Sequence, residues 1–167
     1  TLDTAVVYPG MVLIEGTRLS EGRGTTRPFE LVGAPFIDGR RLAAHLNDLA
    51  LPGARFRPVA FEPTFQKHAR TLCGGVQLHV TDRSVFEPYL GGVLVITAVR
   101  ALYPEKFSWL APPYEYEYEK LPIEILCGSR QVIQGMESGA TPESFRALWQ
   151  EDAALFRTRR TPYLLYD

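Results

Sequence analysis

Between residues 20 and 26 the chain reads Ser20-Glu21-Gly22-Arg23-Gly24-Thr25-Thr26, and Arg27-Pro28 follows at once. One carboxylate, one guanidinium and three hydroxyls fall within seven residues, between apolar runs on both sides. Gly22 and Gly24 permit left-handed backbone and let a ligand approach the main chain closely. Arg23 offers a planar fork of donors and Glu21 a pair of acceptors. Converging on one point, Ser20, Glu21, Arg23 and Thr25 could bind a polar ligand; a surface turn closed by a local Glu–Arg pair has the same composition. Lys67, after Pro63-Thr64-Phe65, could add a cationic wall, or stand solvated on its loop. Glu15 lies six positions before Glu21 around a turn, so two carboxylates could meet. Glycoside hydrolysis needs such a pair at ~5–5.5 Å for retention or ~6.5–9.5 Å for inversion. Spacing alone does not set that distance, and solvated loop glutamates show the same pattern.

Other chemistries lack their constellations. His45, His68 and His79 fall in separate elements, without HExxH or CxxC, so no metal site is expected. Ser20 has no GxSxG elbow, and Gly22 to Thr26 lacks the GxxxxGK[ST] spacing of a phosphate loop. No cofactor is expected.

The flanking segments must position these groups. Pro9 fits the first turn of a helix over 10–15, which delivers Glu15 to the mouth of the loop. Residues 29–32 predict a short strand. Asp38 caps a helix with Leu42, Ala43, Leu46 and Leu49 on one stripe. Residues 55–65 alternate, with Pro58 and Pro63 marking an edge. Val76, Leu78 and Val80 alternate with Gln77, His79 and Thr81, the cleanest strand in the chain. A long apolar helix follows, with Ser84 and Glu87 at capping-box spacing. Tyr114-Glu115-Tyr116-Glu117-Tyr118-Glu119 would, as a strand, set tyrosines on one face and glutamates on the other. That surface reads as a sugar-stacking platform or as a charged edge strand. Residues 121–136 predict a helix that Gly128 could interrupt. Thr141-Pro142 opens the last helix, striped by Phe145, Leu148, Trp149, Ala153 and Phe156. Residues 162–166 read as an apolar extended tail. The pattern predicts an α+β fold, a small mixed or antiparallel sheet with helices packed mainly on one face.

The 167 residues suit one domain spanning 1–167. Apolar residues at 46% and charged residues at 22% exclude global disorder. A net charge of −1 gives no basic excess for nucleic acid or an anionic membrane, and no apolar run reaches a membrane span. Cys73 and Cys127 read as two buried, reduced thiols. The start at Thr1, without Met or signal pattern, reads as a cut inside a longer protein.

Ordered motifs add a resemblance. Val7-Tyr8-Pro9-Gly10, Glu15-Gly16-Thr17, Ser20 to Thr26, Pro28-Phe29-Glu30, Gly33-Ala34-Pro35, Phe56-Arg57-Pro58, Phe65 with Lys67, Cys73-Gly74-Gly75-Val76-Gln77, His79-Val80-Thr81-Asp82 and Tyr163-Leu164-Leu165-Tyr166 occur in that order. Together they resemble the C-terminal half of the bacterial peptidoglycan exo-β-N-acetylmuramidase family. Arg18 and Phe36 depart from its pattern, which has asparagine and tryptophan there. The resemblance implies an auxiliary domain walling the cleft of a two-domain glycosidase that releases N-acetylmuramic acid from peptidoglycan fragments. The partner would be an N-terminal Rossmann-like domain, absent from this chain and holding the catalytic glutamates. Its docking face here would be apolar, of the ~600–1,500 Å² usual between domains. The resemblance implies a bacterial protein of the periplasm, exterior or cytoplasm. A non-catalytic glycan-binding or association module, and a self-sufficient hydrolase using Glu15 and Glu21, are the rival readings.

Overall fold

Thr1 opens the first helix: its Oγ1 accepts from the Thr4 N–H at 3.1 Å, and α1 runs Leu2–Met11. The computed structural model describes residues 1–166. Pro9 therefore sits inside the last turn of α1 rather than opening a helix at residue 10. The chain tightens there into a 3₁₀ turn, Val12–Gly16, which carries Glu15.

Three strands form one antiparallel sheet: β1 Leu31–Ala34, β2 Ala54–Phe61 and β3 Cys73–Val80, in the order β1-β3-β2. β3 is central, and its eight residues contain no proline, so both ladders are available. Pro58 lies in β2, on the sheet edge, where a missing N–H breaks no ladder. Val76 pairs with Val32, and Leu78 with Phe56, placing a buried apolar row on one face, while Pro58 opposite Val76 is exposed at the edge. On the opposite face Arg57 donates to Gln77 Oε1 at 2.6 Å and lies beside His79. The expected strand over 29–32 begins two residues later, because Phe29 turns the chain at φ 64°.

Helix α2, Gly39–Asp48, is capped by Asp38, whose Oδ1 accepts from the Arg40 and Arg41 N–H groups at 2.8 and 3.2 Å. It packs on β2 and β3. Helix α3, Pro88–Leu102, is the central pillar: Leu90 through Val99 are all buried, and α1, α2 and two later helices lean on it. It starts at Pro88, not at Ser84, because Asp82 Oδ1 accepts both the Ser84 N–H and O–H and holds that segment in a turn.

The predicted helix over 121–136 is two, α4 Pro122–Cys127 and α5 Arg130–Ser138. Gly128 reverses the chain at φ 66° and Ser129 caps the second helix. Thr141 caps α6, Pro142–Arg160. Only its N-terminal half is seated: Phe145 is fully buried, whereas Phe156 is 64% exposed. A 3₁₀ turn, Thr161–Tyr163, replaces the start of the expected extended tail. Residues 114–119 form no long strand either: Glu115 adopts φ 52° and Tyr114 bridges to Glu117. Tyr116 and Tyr118 point outward, and only Tyr114 turns in. Cys73 and Cys127 are free thiols, the first buried and the second half-buried. Burial raises the pKa of Cys73, keeping it protonated and unreactive. No helix among the described residues is long and apolar enough to cross a membrane.

Candidate functional site

The polar loop is built mainly by its own hydrogen bonds. Ser20 bridges to Gly33 of β1 through both backbone groups, at 2.8 and 3.1 Å. Its hydroxyl accepts from the Gly22 N–H at 3.2 Å. Thr25 Oγ1 donates to the Gly22 carbonyl at 2.6 Å and accepts from the Arg27 N–H at 3.2 Å. Gly24, at φ 79°, lies so close to the 63–71 loop that a Cβ there would stand 2.7 Å from Thr64 N. Ser20 and Thr25 thus shape the loop, while Glu21 and Arg23 project from it.

Glu21 is 1% exposed, and a buried carboxylate needs partners. It has two cations. Lys67 Nζ donates to Glu21 Oε2 at 2.9 Å, and Arg23 Nε lies 3.4 Å from Glu21 Oε1. The same Lys67 ammonium donates to the carbonyls of Ile14 and Glu15 at 3.2 and 3.3 Å, so all three of its protons are used. Lys67 arrives on a tightly wound segment in which Gln66, His68 and Arg70 all have positive φ, at 63°, 57° and 58°. Three non-glycine residues in that region concentrate strain at the site. His68 ties the loop back through its Nε2, 2.8 Å from the Arg18 carbonyl oxygen.

Glu15 completes the network. Its Oε1 accepts from Arg23 Nε at 3.0 Å and from Arg23 Nη2, and its Oε2 accepts from the Tyr114 hydroxyl at 2.8 Å. The hydrogen bond to Glu15 raises the Arg23 pKa against the opposing effect of burial, which fixes the positive charge. The Arg23 guanidinium also lies over the Phe29 ring, 4.9 Å from its centroid. Tyr8 also meets the Phe29 ring edge-on, with centroids 4.7 Å apart.

These side chains line a cleft of ≈ 240 Å³ completed by Gln66, Leu110, Tyr114 and Glu115. Of the five residues predicted to bind a ligand, Glu21, Arg23 and Lys67 line it; Ser20 and Thr25 do not. Glu15 converges with Glu21 on one Arg23 Nε. Gln66 and Leu110 were not legible as site residues, and Tyr114 and Glu115 only as part of the Tyr-Glu repeat. The Tyr-Glu repeat flagged the segment, but only the turn at Glu115 selects which tyrosine enters.

Every protein partner of Glu15 and Glu21 is a donor, so both carboxylates serve as acceptors bracing Arg23 and Lys67. Arg23 Nη1 has no protein partner among the described residues, and the side chain is 36% exposed. Its outer edge can therefore meet a ligand. No group of three metal-ligating side chains occurs among the described residues.

Tyr114 offers a direct check. Burial, and then the hydrogen bond to Glu15, push its phenol well above the ordinary range. The folded value exceeds the unfolded one, so this contribution is complete below about pH 10 and is lost as pH rises through the folded value. Tyr114→Phe should lower unfolding free energy by about 1 kcal/mol at pH 7. Urea titrations should show the gap to the parent sequence narrowing above about pH 10.

Residues 6–166 match the family described as exo-beta-N-acetylmuramidase NamZ, C-terminal. The chain belongs to that family. Among curated proteins it is similar to the peptidoglycan beta-N-acetylmuramidase NamZ of Bacillus subtilis (strain 168), with 44% identity over 166 residues. That match covers 99% of this chain and 38% of the relative. Two crystal structures of DUF1343 family proteins from Bacteroides fragilis NCTC 9343 share the fold. One has a TM-score of 0.81 at 26% identity, covering 98% of this chain and 42% of that one. The other has a TM-score of 0.67 at 25% identity, covering 100% and 42%. The chain thus spans well under half the length of the relatives it matches, and those relatives contain a further region beyond the NamZ C-terminal portion.

Proposed function

We propose that this chain forms one wall of the active cleft of an exo-β-N-acetylmuramidase, the opposite wall and the catalytic carboxylates coming from an N-terminal Rossmann-like domain of the same parent. The observation that carries the reading is the Arg23 edge: a charged fork, held by Glu15 and Glu21, facing outward in a family whose curated relative acts on peptidoglycan. The end-on pair of Nη1 and Nη2 protons suits a bidentate contact with a carboxylate, and the lactyl group of N-acetylmuramic acid supplies one. Glu15, Glu21 and Glu115 outnumber Arg23 and Lys67 in formal charge along the cleft, so the attraction for that anion is local to the fork. Gln66 and Tyr114 supply amide and hydroxyl groups for sugar hydroxyls, and Leu110 an apolar patch for a ring face. Ser20 and Thr25 contribute through the loop they brace.

The self-sufficient hydrolase is less well supported, because Glu15 and Glu21 are both committed to holding cations. In the full-length parent, Arg23→Ala should reduce kcat/KM for a chromogenic N-acetylmuramide by ~10–100-fold, equivalent to ~1.4–2.7 kcal/mol. The substrate lacking the lactyl carboxylate, the matching N-acetylglucosaminide, should lose far less. An unchanged kcat/KM in a folded variant removes Arg23 from the site.

A further inference from the structure

Helix α6 carries an apolar stripe that outruns the core beneath it. Phe145 is fully buried and stacks on Trp149 at 6.4 Å, and Trp149 meets Tyr89 edge-on at 5.1 Å. Two turns beyond Trp149, at the same helical phase, Phe156 is 64% exposed, and Leu155 beside it, at the phase of Leu148, is 49% exposed. Tyr163, Leu165 and Tyr166 extend the surface, at 84%, 95% and 84%. Nearly half of the exposed large hydrophobic side chains of the described residues fall between 148 and 166. A groove of ≈ 200 Å³ beside the stripe, floored by Trp149 and Ala153 and flanked by Arg146 and Arg157, could seat a side chain. Large apolar side chains exposed in such density along one stretch of chain mark an interface.

We infer that the C-terminal half of α6 and the segment 163–166 dock against the remainder of the parent polypeptide, on a surface that is apolar with an acidic rim. Two observations and one general principle choose that occupant. The family match runs through residue 166, so stripe and tail belong to the family's own architecture and are no appended segment. More than half of the Bacillus subtilis relative lies outside the match, and the matched portion is the family's C-terminal one. A covalently joined body is present at high effective concentration and outcompetes a second copy for the same face. The acidic rim follows from Arg157, Arg159 and Arg160, which crowd the last turn of the helix. The inference rests on the reading of the chain as the C-terminal part of a larger enzyme, but assigns to it a face distinct from the Arg23 cleft.

The test is thiol labelling of the full-length parent carrying Phe156→Cys, Leu165→Cys or, on the opposite side of α6, Ala154→Cys. With a maleimide probe and peptide mass readout, positions 156 and 165 should react at least ~10-fold more slowly than 154, at all protein concentrations. Equal rates overturn the inference. Protection that vanishes on dilution, with a mass that falls from dimer to monomer, also overturns it and assigns the face to a second copy. All three positions are exposed in this chain, so substitution leaves its core intact; hydrogen exchange across 150–166 in the unmodified parent gives the same comparison without any variant. The kinetics of Arg23→Ala report the cleft separately, so failure of one reading is distinguishable from failure of the other.

Discussion

Gly92→Val should destabilise the chain by about 3 kcal/mol or more, while the neighbouring Gly91→Ala should be neutral or stabilise it by up to about 1 kcal/mol. The contrast comes from where α1 crosses α3. A Cβ on Gly92 would lie 2.1 Å from the Gly10 carbonyl oxygen, and one on Gly10 would lie 1.7 Å from the Pro88 oxygen. Both obstacles are backbone, so relief requires the helices to part. A Cβ on Gly91 would instead meet only Leu51 and Phe86 side chains, at an ordinary 3.5 Å. The crossing also matters for the site. α1 leads directly into the turn Val12–Gly16, so pushing α1 off α3 shifts the backbone that presents Glu15. Urea unfolding of the two variants, with Gly92→Ala between them, orders the effects; equal stabilities would show that the helix crossing can open to admit a side chain.

Lys67→Met should cost about 2–4 kcal/mol, near the range for leaving one member of a buried ion pair alone. The Glu21 carboxylate is 1% exposed and would retain only the longer Arg23 contact, at 3.4 Å. The carbonyls of Ile14 and Glu15 would lose a donor in the same step. Lys67 itself is 20% exposed on its side chain, and water reaching that position keeps the loss at the lower end. The double variant Lys67→Met with Glu21→Gln should recover part of the stability, because no uncompensated charge then remains. Thermal unfolding of the single and double variants decides this. A double variant no more stable than Lys67→Met would mean that the lysine acts through the carbonyls rather than through Glu21.

The parts of this site that were legible in the sequence are those whose cause is local. Ser20 to Thr26 announced a loop because glycines, hydroxyls and charges crowd together, and its hydrogen bonds close within a few residues. Asp38, Ser129 and Thr141 announced or fit helix starts because capping is a contact between near neighbours. The central strand was clear from alternation, but its first residues, Cys73 to Gly75, carry no large side chains to alternate and were missed. Tyr114 reaches Glu15 across 99 residues, and nothing in local pattern encodes that meeting. The Tyr-Glu repeat even argued for the wrong element, since period two describes a strand, whereas the left-handed turn at Glu115 sends successive tyrosines to different environments. Lys67 was picked out by charge, but its role depends on three left-handed non-glycine residues that propensity does not foresee. In α6 the stripe was legible, but not where its burial ends, because its C-terminal half outruns the core of this chain and periodicity marks only a face.

The most direct measurement is turnover of a chromogenic N-acetylmuramide by this chain alone, and again after mixing with the separately produced remainder of the parent. No turnover by the chain alone and turnover on mixing are expected, since Glu15 and Glu21 hold cations and the catalytic groups are proposed to lie in the rest of the parent. Turnover by the chain alone would contradict it, and would make Glu15 and Glu21 the acid and base.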